Sequence, residues 1–316
     1  MLDAELAAVA LTSRLVDAPV KPLSSKEFWA LSQRTDLSAL RGKTAKDVAA
    51  ELGVSDVVGE RIAGLFDRAT ALAFALEDLD HSGIWTITSV GGQYPKRLRD
   101  RLGDAAPVVL HGVGNSALLD EDGVGVVGSR NVSEEGSQVA CAVAEIAAKS
   151  GLSVVSGAAR GVDSDAMNHA LEVGGQVVGV LADSLERVIS RPGIRRAVMK
   201  NQICLITPYG PAAPFSVGNA MGRNKIIYGL ARCTVVVASD HEAGGTWAGA
   251  VEALKNSYGR VASWTGPGGG VGNSALVEQG AVELRDAVSL SDLLREPAVP
   301  AAAKDEPSEN QLTLGF

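Results

Sequence analysis

The sequence predicts an α/β protein with a doubly wound, mostly parallel sheet, preceded by a small all-α domain. Three observations carry that expectation. Short apolar runs dominated by Val recur between residues 124 and 264, each closing near a Gly or a small polar residue. Segments of helical length separate them, and strands alternating with helices in this way build parallel sheets covered on both faces. The first 80 residues, by contrast, are rich in Ala and Leu and show no strand-like alternation.

The elements follow in order. Ala4, Leu6, Ala7, Val9, Ala10 and Leu11 recur at helical spacing. Asp47–Leu52 and Ile62–Phe66 read as two further helices around a turn at Gly53. That turn, followed by Gly59, faintly resembles a helix-hairpin-helix or SAM-like module, so DNA binding and simple docking or packing both stay open for residues 1–80. Residues 83–119 read as a connector. Ile84–Thr88 alternates like a strand, Tyr94-Pro95 interrupts it, and Pro107–Gly112 is a second short strand.

The core then runs to residue 295. Val124–Val127 is the first buried strand and a helix is expected over about 134–149, closed by Gly151. Leu152–Ser156 is the next strand, followed by a helix over about Val162–Glu172 and a strand at Gln176–Leu181. Cys204–Thr207, Thr234–Ala238 and Val261–Trp264 complete the series, a Rossmann-like pattern whose ligands belong at the carboxyl ends of the strands. Residues 296–310 are rich in Pro, Ala and acids and are expected to form a disordered acidic tail, which ends in Gln311-Leu-Thr-Leu-Gly-Phe316.

Composition narrows the function classes. The length, 316 residues, suits about two domains. A hydrophobic fraction of 46% with 21% charged residues excludes disorder along the whole chain. Cys141, Cys204 and Cys233 lie in apolar contexts without CxxC spacing, which suggests buried thiols in a reducing compartment. The four histidines show no metal-ligand spacing, so no metal is expected. No secretory leader and no run of 18 apolar residues is present, so a cytoplasmic location is expected and a membrane is not.

The net charge of −8 looks unfavourable for a nucleic-acid partner. Its distribution changes that. Residues 1–80 carry 9 bases against 13 acids and residues 296–316 carry 1 against 4, whereas residues 81–295 carry 19 against 20. Local basic clusters in the core therefore act against little background.

Five stretches carry candidate chemistry. Gly128-Ser129-Arg130-Asn131 lies between the first buried strand and a helix, where unpaired amides and an Arg fork suit a phosphate. The spacing is not GxGxxG and no acid ends the second strand, so no dinucleotide cofactor is expected. The second strand ends in Ser156-Gly157-Ala158-Ala159-Arg160-Gly161, and Asp163 or Ser164 is placed to cap the next helix. Adjacent turns would set Arg130 and Arg160 on one rim. Residues 187–200 hold Arg187, Arg191, Arg195, Arg196 and Lys200 without an acid, and Gly222-Arg223-Asn224-Lys225 opens a helical run. Gly244, Gly245 and Thr246 form a further anion-friendly helix start. Trp247, Tyr209 and Phe215 are the candidates for stacking on bases.

The order VGSRN, SGAARGVD, GRNKIIYGLA, GGTWAGA, YGRVASWTGP and GNSALVEQGA resembles the DNA-processing protein A family, DprA or Smf, over about residues 83–284. That resemblance implies a homodimer that binds single-stranded DNA on the sheet rim and helps load the RecA recombinase in transformation or recombination. It implies that Arg130, Arg160, Arg223 and Lys225 contact DNA phosphate, with the backbone of Gly128, Ser129 and Gly157 helping. Met167 stands where the family commonly has His, and Val217–Lys225 replaces its FPxRNR segment.

The terminal Gln311, Leu312, Leu314 and Phe316 are similar to the short peptide that docks in the bacterial sliding clamp. The alternative function is a nucleotide-binding sensor or a phosphoribohydrolase-like enzyme of the same superfamily. Those enzymes carry PGGxGTxxE, and here the position of the Glu is Gly249, so no catalytic residue is expected.

Overall fold

A Val-rich run with two apolar faces can satisfy its backbone and bury its side chains only inside a sheet covered on both sides. The structure, a computed structural model describing residues 3–295, gathers nine such and flanking strands into one sheet. They are β1 (Trp85–Thr88), β2 (Val109–Gly114), β3 (Gly123–Val127), β4 (Ser153–Ser156), β5 (Val177–Val180), β6 (Ile203–Thr207), β7 (Cys233–Val236), β8 (Arg260–Trp264) and β9 (Val282–Leu284). The order across the sheet is β1-β2-β6-β5-β4-β3-β7-β8-β9.

The chain enters the parallel region at β3, winds outward through β4, β5 and β6, then returns to lay β7, β8 and β9 on the other side. Connections therefore diverge between β3 and β7, and an open α/β sheet leaves a crevice at such a switch point. The two short strands expected in the connector form a hairpin that pairs antiparallel with β6, with His111 opposite Thr207, and extend the sheet at that edge. The three-residue β9 has too little apolar pattern to be read from sequence.

Helices α1 (Asp3–Thr12), α2 (Ser25–Ser32), α3 (Ala45–Leu52), α4 (Asp56–Phe66) and α5 (Ala69–His81) build the N-terminal region. Gly53 ends α3 in the left-handed conformation at φ +63°, where a glycine carries no Cβ penalty. Phe28, Leu31, Ile62 and Leu65 pack with Val108 and Val109, so this region shares a core with the foot of β2. Trp29 donates its indole N–H to the Ala106 carbonyl at 3.1 Å, and the Arg99 guanidinium lies 3.4 Å over its ring. Buried Arg68 donates through its terminal nitrogens to the carbonyls of Ala10, Ser13 and Val16.

The remaining helices cover the sheet on both faces. They are α6 (Lys96–Leu102), α7 (Glu134–Lys149), α8 (Val162–Glu172), α9 (Leu185–Ile189), α10 (Pro192–Met199), α11 (Val217–Leu230), α12 (Gly244–Asn256), α13 (Asn273–Glu278) and α14 (Ala287–Arg295). One face carries α7 and α8, whose Ala140, Ala144, Ala147, Ala166 and Ala170 pack over Val124, Val126 and Val154. The other carries α6, α11 and α12 over Val127, Val155 and Val178. Cys204 and Cys233 are buried, but Cys141 is only partly so. Residues 296–316, with the expected acidic tail and its Gln311–Phe316 peptide, lie outside the described residues.

Candidate nucleic-acid interface

A crevice of about 350 Å³ opens at the carboxyl ends of β3 and β7. The turn after β3, residues 128–131, forms one wall. The segment 238–246, which leads from β7 into the start of α12, forms the opposite wall, and α11 closes the third side. The two turns are tied together where the Ser129 amide donates to the Ala238 carbonyl at 2.9 Å. The Gly128 backbone lies against Val162, so a side chain there would collide with α8.

The structure brings several of the sequence-predicted residues together. Arg130 is exposed on the rim, 5.2 Å from the centroid of the Phe215 ring, and Phe215 is 46% exposed. Arg160 is exposed beside it and donates to the Asn131 side chain at 2.7 Å. Ser129, Gly245 and Thr246 line the crevice, and the Asn224 amide donates to the Gly245 carbonyl at 3.1 Å. Of the three aromatic candidates, Trp247 is buried edge-on against His241 and Tyr209 is tied by its hydroxyl to the Asn219 carbonyl. Of the three, Phe215 is the ring left exposed at this rim.

Other expectations need correction. Arg223 is not on the rim: it is buried on the crevice floor, 3.9 Å from the carboxylate of the equally buried Asp163. Gly157 is a glycine because the Arg223 guanidinium lies where a Cβ would be. Neither Asp163 nor Ser164 caps α8, whose N-cap is Gly161 at φ +84°. The Asp163 carboxylate turns inward and accepts hydrogen bonds from the backbone of Ala159, Gly157 and Gly128. The turn amides expected to hold phosphate are therefore already bound to an anion of the chain itself. Burial pushes the Asp163 carboxyl up, with Arg223 and those amides pulling against it, and burial likewise pushes the Arg223 guanidinium down.

Ser156 is internal as well, its hydroxyl donating to the Val126 carbonyl at 2.6 Å. Lys225 faces away from the crevice, into a separate cavity of about 770 Å³ between the N-terminal helices and the sheet. Arg195 and Arg196 lie on the exposed side of α10, which carries the chain back towards the amino ends of the strands. The segment that follows, Lys200–Gln202, lines a groove with Gly151 and Gly174 at that far edge. No residue of the basic stretch 187–200 lines the crevice, and its Arg187 is paired with Asp183.

Tyr228 also lines the crevice and is not evident as a site residue from sequence. Its signal is the spacing of Met221, Asn224 and Tyr228 on one helical face. Among the described residues no group of His, Cys, Asp and Glu could hold a metal, and no helix is long and apolar enough to cross a membrane.

A mostly parallel sheet with a crevice at its switch point, rimmed by exposed arginines and one aromatic ring, defines a Rossmann-like α/β protein. The chain belongs to the DNA recombination-mediator protein A family, whose model matches residues 85–295. It is 29% identical over 221 residues to the DNA processing protein DprA of Bacillus subtilis, covering 68% of this chain and 72% of the relative. It is 28% identical over 192 residues to protein Smf of Synechocystis, covering 58% of this chain and 47% of the relative, so it spans about half of that protein's length. The X-ray structure of DprA from Streptococcus pneumoniae has the same fold, with a TM-score of 0.69 at 22% identity over 94% of this chain and 99% of that one. So does DNA processing protein A of Helicobacter pylori, described for its single-stranded DNA binding mode, with a TM-score of 0.55 at 22% identity over 67% of this chain and 95% of that one.

Proposed function

We propose that the chain binds single-stranded DNA along the crevice rim and acts by binding, without catalysis. The observation that carries this is the convergence of exposed Arg130 and Arg160 with the exposed Phe215 ring over the start of α12. Two guanidinium groups can neutralise successive phosphates while the ring stacks on a base, the combination that sequence-tolerant strand binding uses. The single-stranded DNA binding mode of the Helicobacter relative supports the same reading. Gly249 offers no carboxylate, and Glu252 meets the Tyr258 hydroxyl at 3.5 Å, apart from the crevice lining.

Family membership supports a finer role, in which a homodimer in the cytoplasm loads a RecA-type recombinase on the bound strand. Residues 1–80 then act as a docking module and Gln311–Phe316 as a sliding-clamp peptide. Fluorescence anisotropy with labelled oligo-dT at two salt concentrations tests the binding itself. Binding that weakens steeply with salt is expected; no binding at low salt would refute it.

A further inference from the structure

The floor of the crevice differs in chemistry from its rim. Arg223 and Tyr228 both line it, and both side chains are almost completely buried. Among the described residues the Arg223 Nε and the Tyr228 hydroxyl have no hydrogen-bond partner. Buried polar groups are nearly always satisfied, and a guanidinium offers five N–H donors. The contact of Arg223 with Asp163, at 3.9 Å, is an ion pair too long to be a hydrogen bond. A second feature faces the same space. Helix α12, 13 residues long, begins at Gly244 with no side-chain cap, so the amides of its first turn, at Gly245 and Thr246, remain as donors beside the crevice. Two independent sets of donors thus flank a cavity of about 350 Å³ that the strand ends close from below.

We propose that this floor is a socket for a terminal phosphate, the phosphomonoester of a nucleotide or of a strand end. An internal phosphodiester continues in both directions and can pass over the mouth, where Arg130 and Phe215 stand, but it cannot descend to a closed floor. A phosphomonoester has three free oxygens and a single ester link. It can reach Arg223, the Tyr228 hydroxyl and the α12 amides while its nucleoside remains at the mouth against Phe215. Asp163 also lines the crevice and its charge opposes the phosphate, offset by Arg223 and the amides it accepts from, and exposed Asp240 at the mouth opposes it too. For strand ends the proposal rests on the DNA-binding reading above; for free nucleotides it does not.

The test compares three ligands on the full chain: 5′-phosphorylated oligo-dT, the same oligonucleotide with a 5′-hydroxyl, and free thymidine 5′-monophosphate. The phosphorylated strand is expected to bind about tenfold tighter than the hydroxyl strand, the worth of about one charge-assisted hydrogen bond. The monophosphate is expected to compete away that advantage. Tyr228→Phe should lower monophosphate affinity several-fold, and Asp240→Asn should raise it. Equal affinity for the two strands with no binding of the monophosphate overturns the socket and leaves strand binding standing. Binding of the monophosphate with no binding of either strand upholds the socket and overturns the strand reading.

Discussion

Replacing Asp163 with Ala removes the anion on which the crevice turns are built. The carboxylate is the charge partner of buried Arg223 and accepts from three backbone amides. Breaking a buried pair by deleting one member costs about 3–5 kcal/mol, because the other charge stays buried and uncompensated. At about 2–4 °C per kcal/mol for a chain of this size, Asp163→Ala should lower the melting temperature by about 6–20 °C. Asp163→Asn keeps the volume and one acceptor oxygen, so its loss should be smaller. Exchanging both members, Asp163→Leu with Arg223→Met, leaves no stranded charge and should cost less than Asp163→Ala alone. Thermal unfolding followed by circular dichroism on the four proteins closes the comparison. An Asp163→Ala melting temperature within about 2 °C of the unmodified chain would show that Arg223 does not depend on that carboxylate.

Further outcomes follow from the same geometry. Arg130→Ala and Arg160→Ala should each weaken oligo-dT binding and reduce the salt slope by about 0.7 for every phosphate no longer neutralised, read from anisotropy titrations at several salt concentrations. Arg195→Ala with Arg196→Ala should leave both affinity and salt slope unchanged in that assay, since α10 returns to the far edge of the sheet. Burial holds His111 down at about 4 against its ordinary 6.5. Its neutral ring is therefore fully stabilising above pH 6.5, and that contribution, about 3 kcal/mol at most, is lost as pH falls through 4. The melting temperature of His111→Gln should thus fall less steeply between pH 6.5 and 4 than that of the unmodified chain.

The parallel core was legible because strands buried on both faces leave a short record dominated by Val and free of charged residues, as in β3, β5 and β7. Which edge the β1–β2 hairpin would join was not, because that depends on packing between residues far apart in the chain, such as His111 and Thr207. The rim was legible from two Gly-Arg turns on neighbouring strands. The floor was not. An acid just after a glycine turn has the same local signature whether it caps the helix or folds inward to fill the turn, and Asp163 does the second. Arg223 sits in a polar, Gly-rich helix opening that reads as solvent-facing, yet the absence of a side chain at Gly157 lets it sink below the surface. The place of Arg195 and Arg196 followed from the parallel pairing itself, because a helix that joins two parallel strands must return the chain to their amino ends.

The inward carboxylate of Asp163 also bears on readiness. Loops that wrap phosphate are commonly ordered by it, and the first ligand then meets the entropy of fixing them. Here a residue of the chain stands permanently where that ligand would do the ordering. The turns after β3 and β4 are held in shape before any strand arrives, so encounter requires little rearrangement. Such a site trades some depth of affinity for speed of encounter.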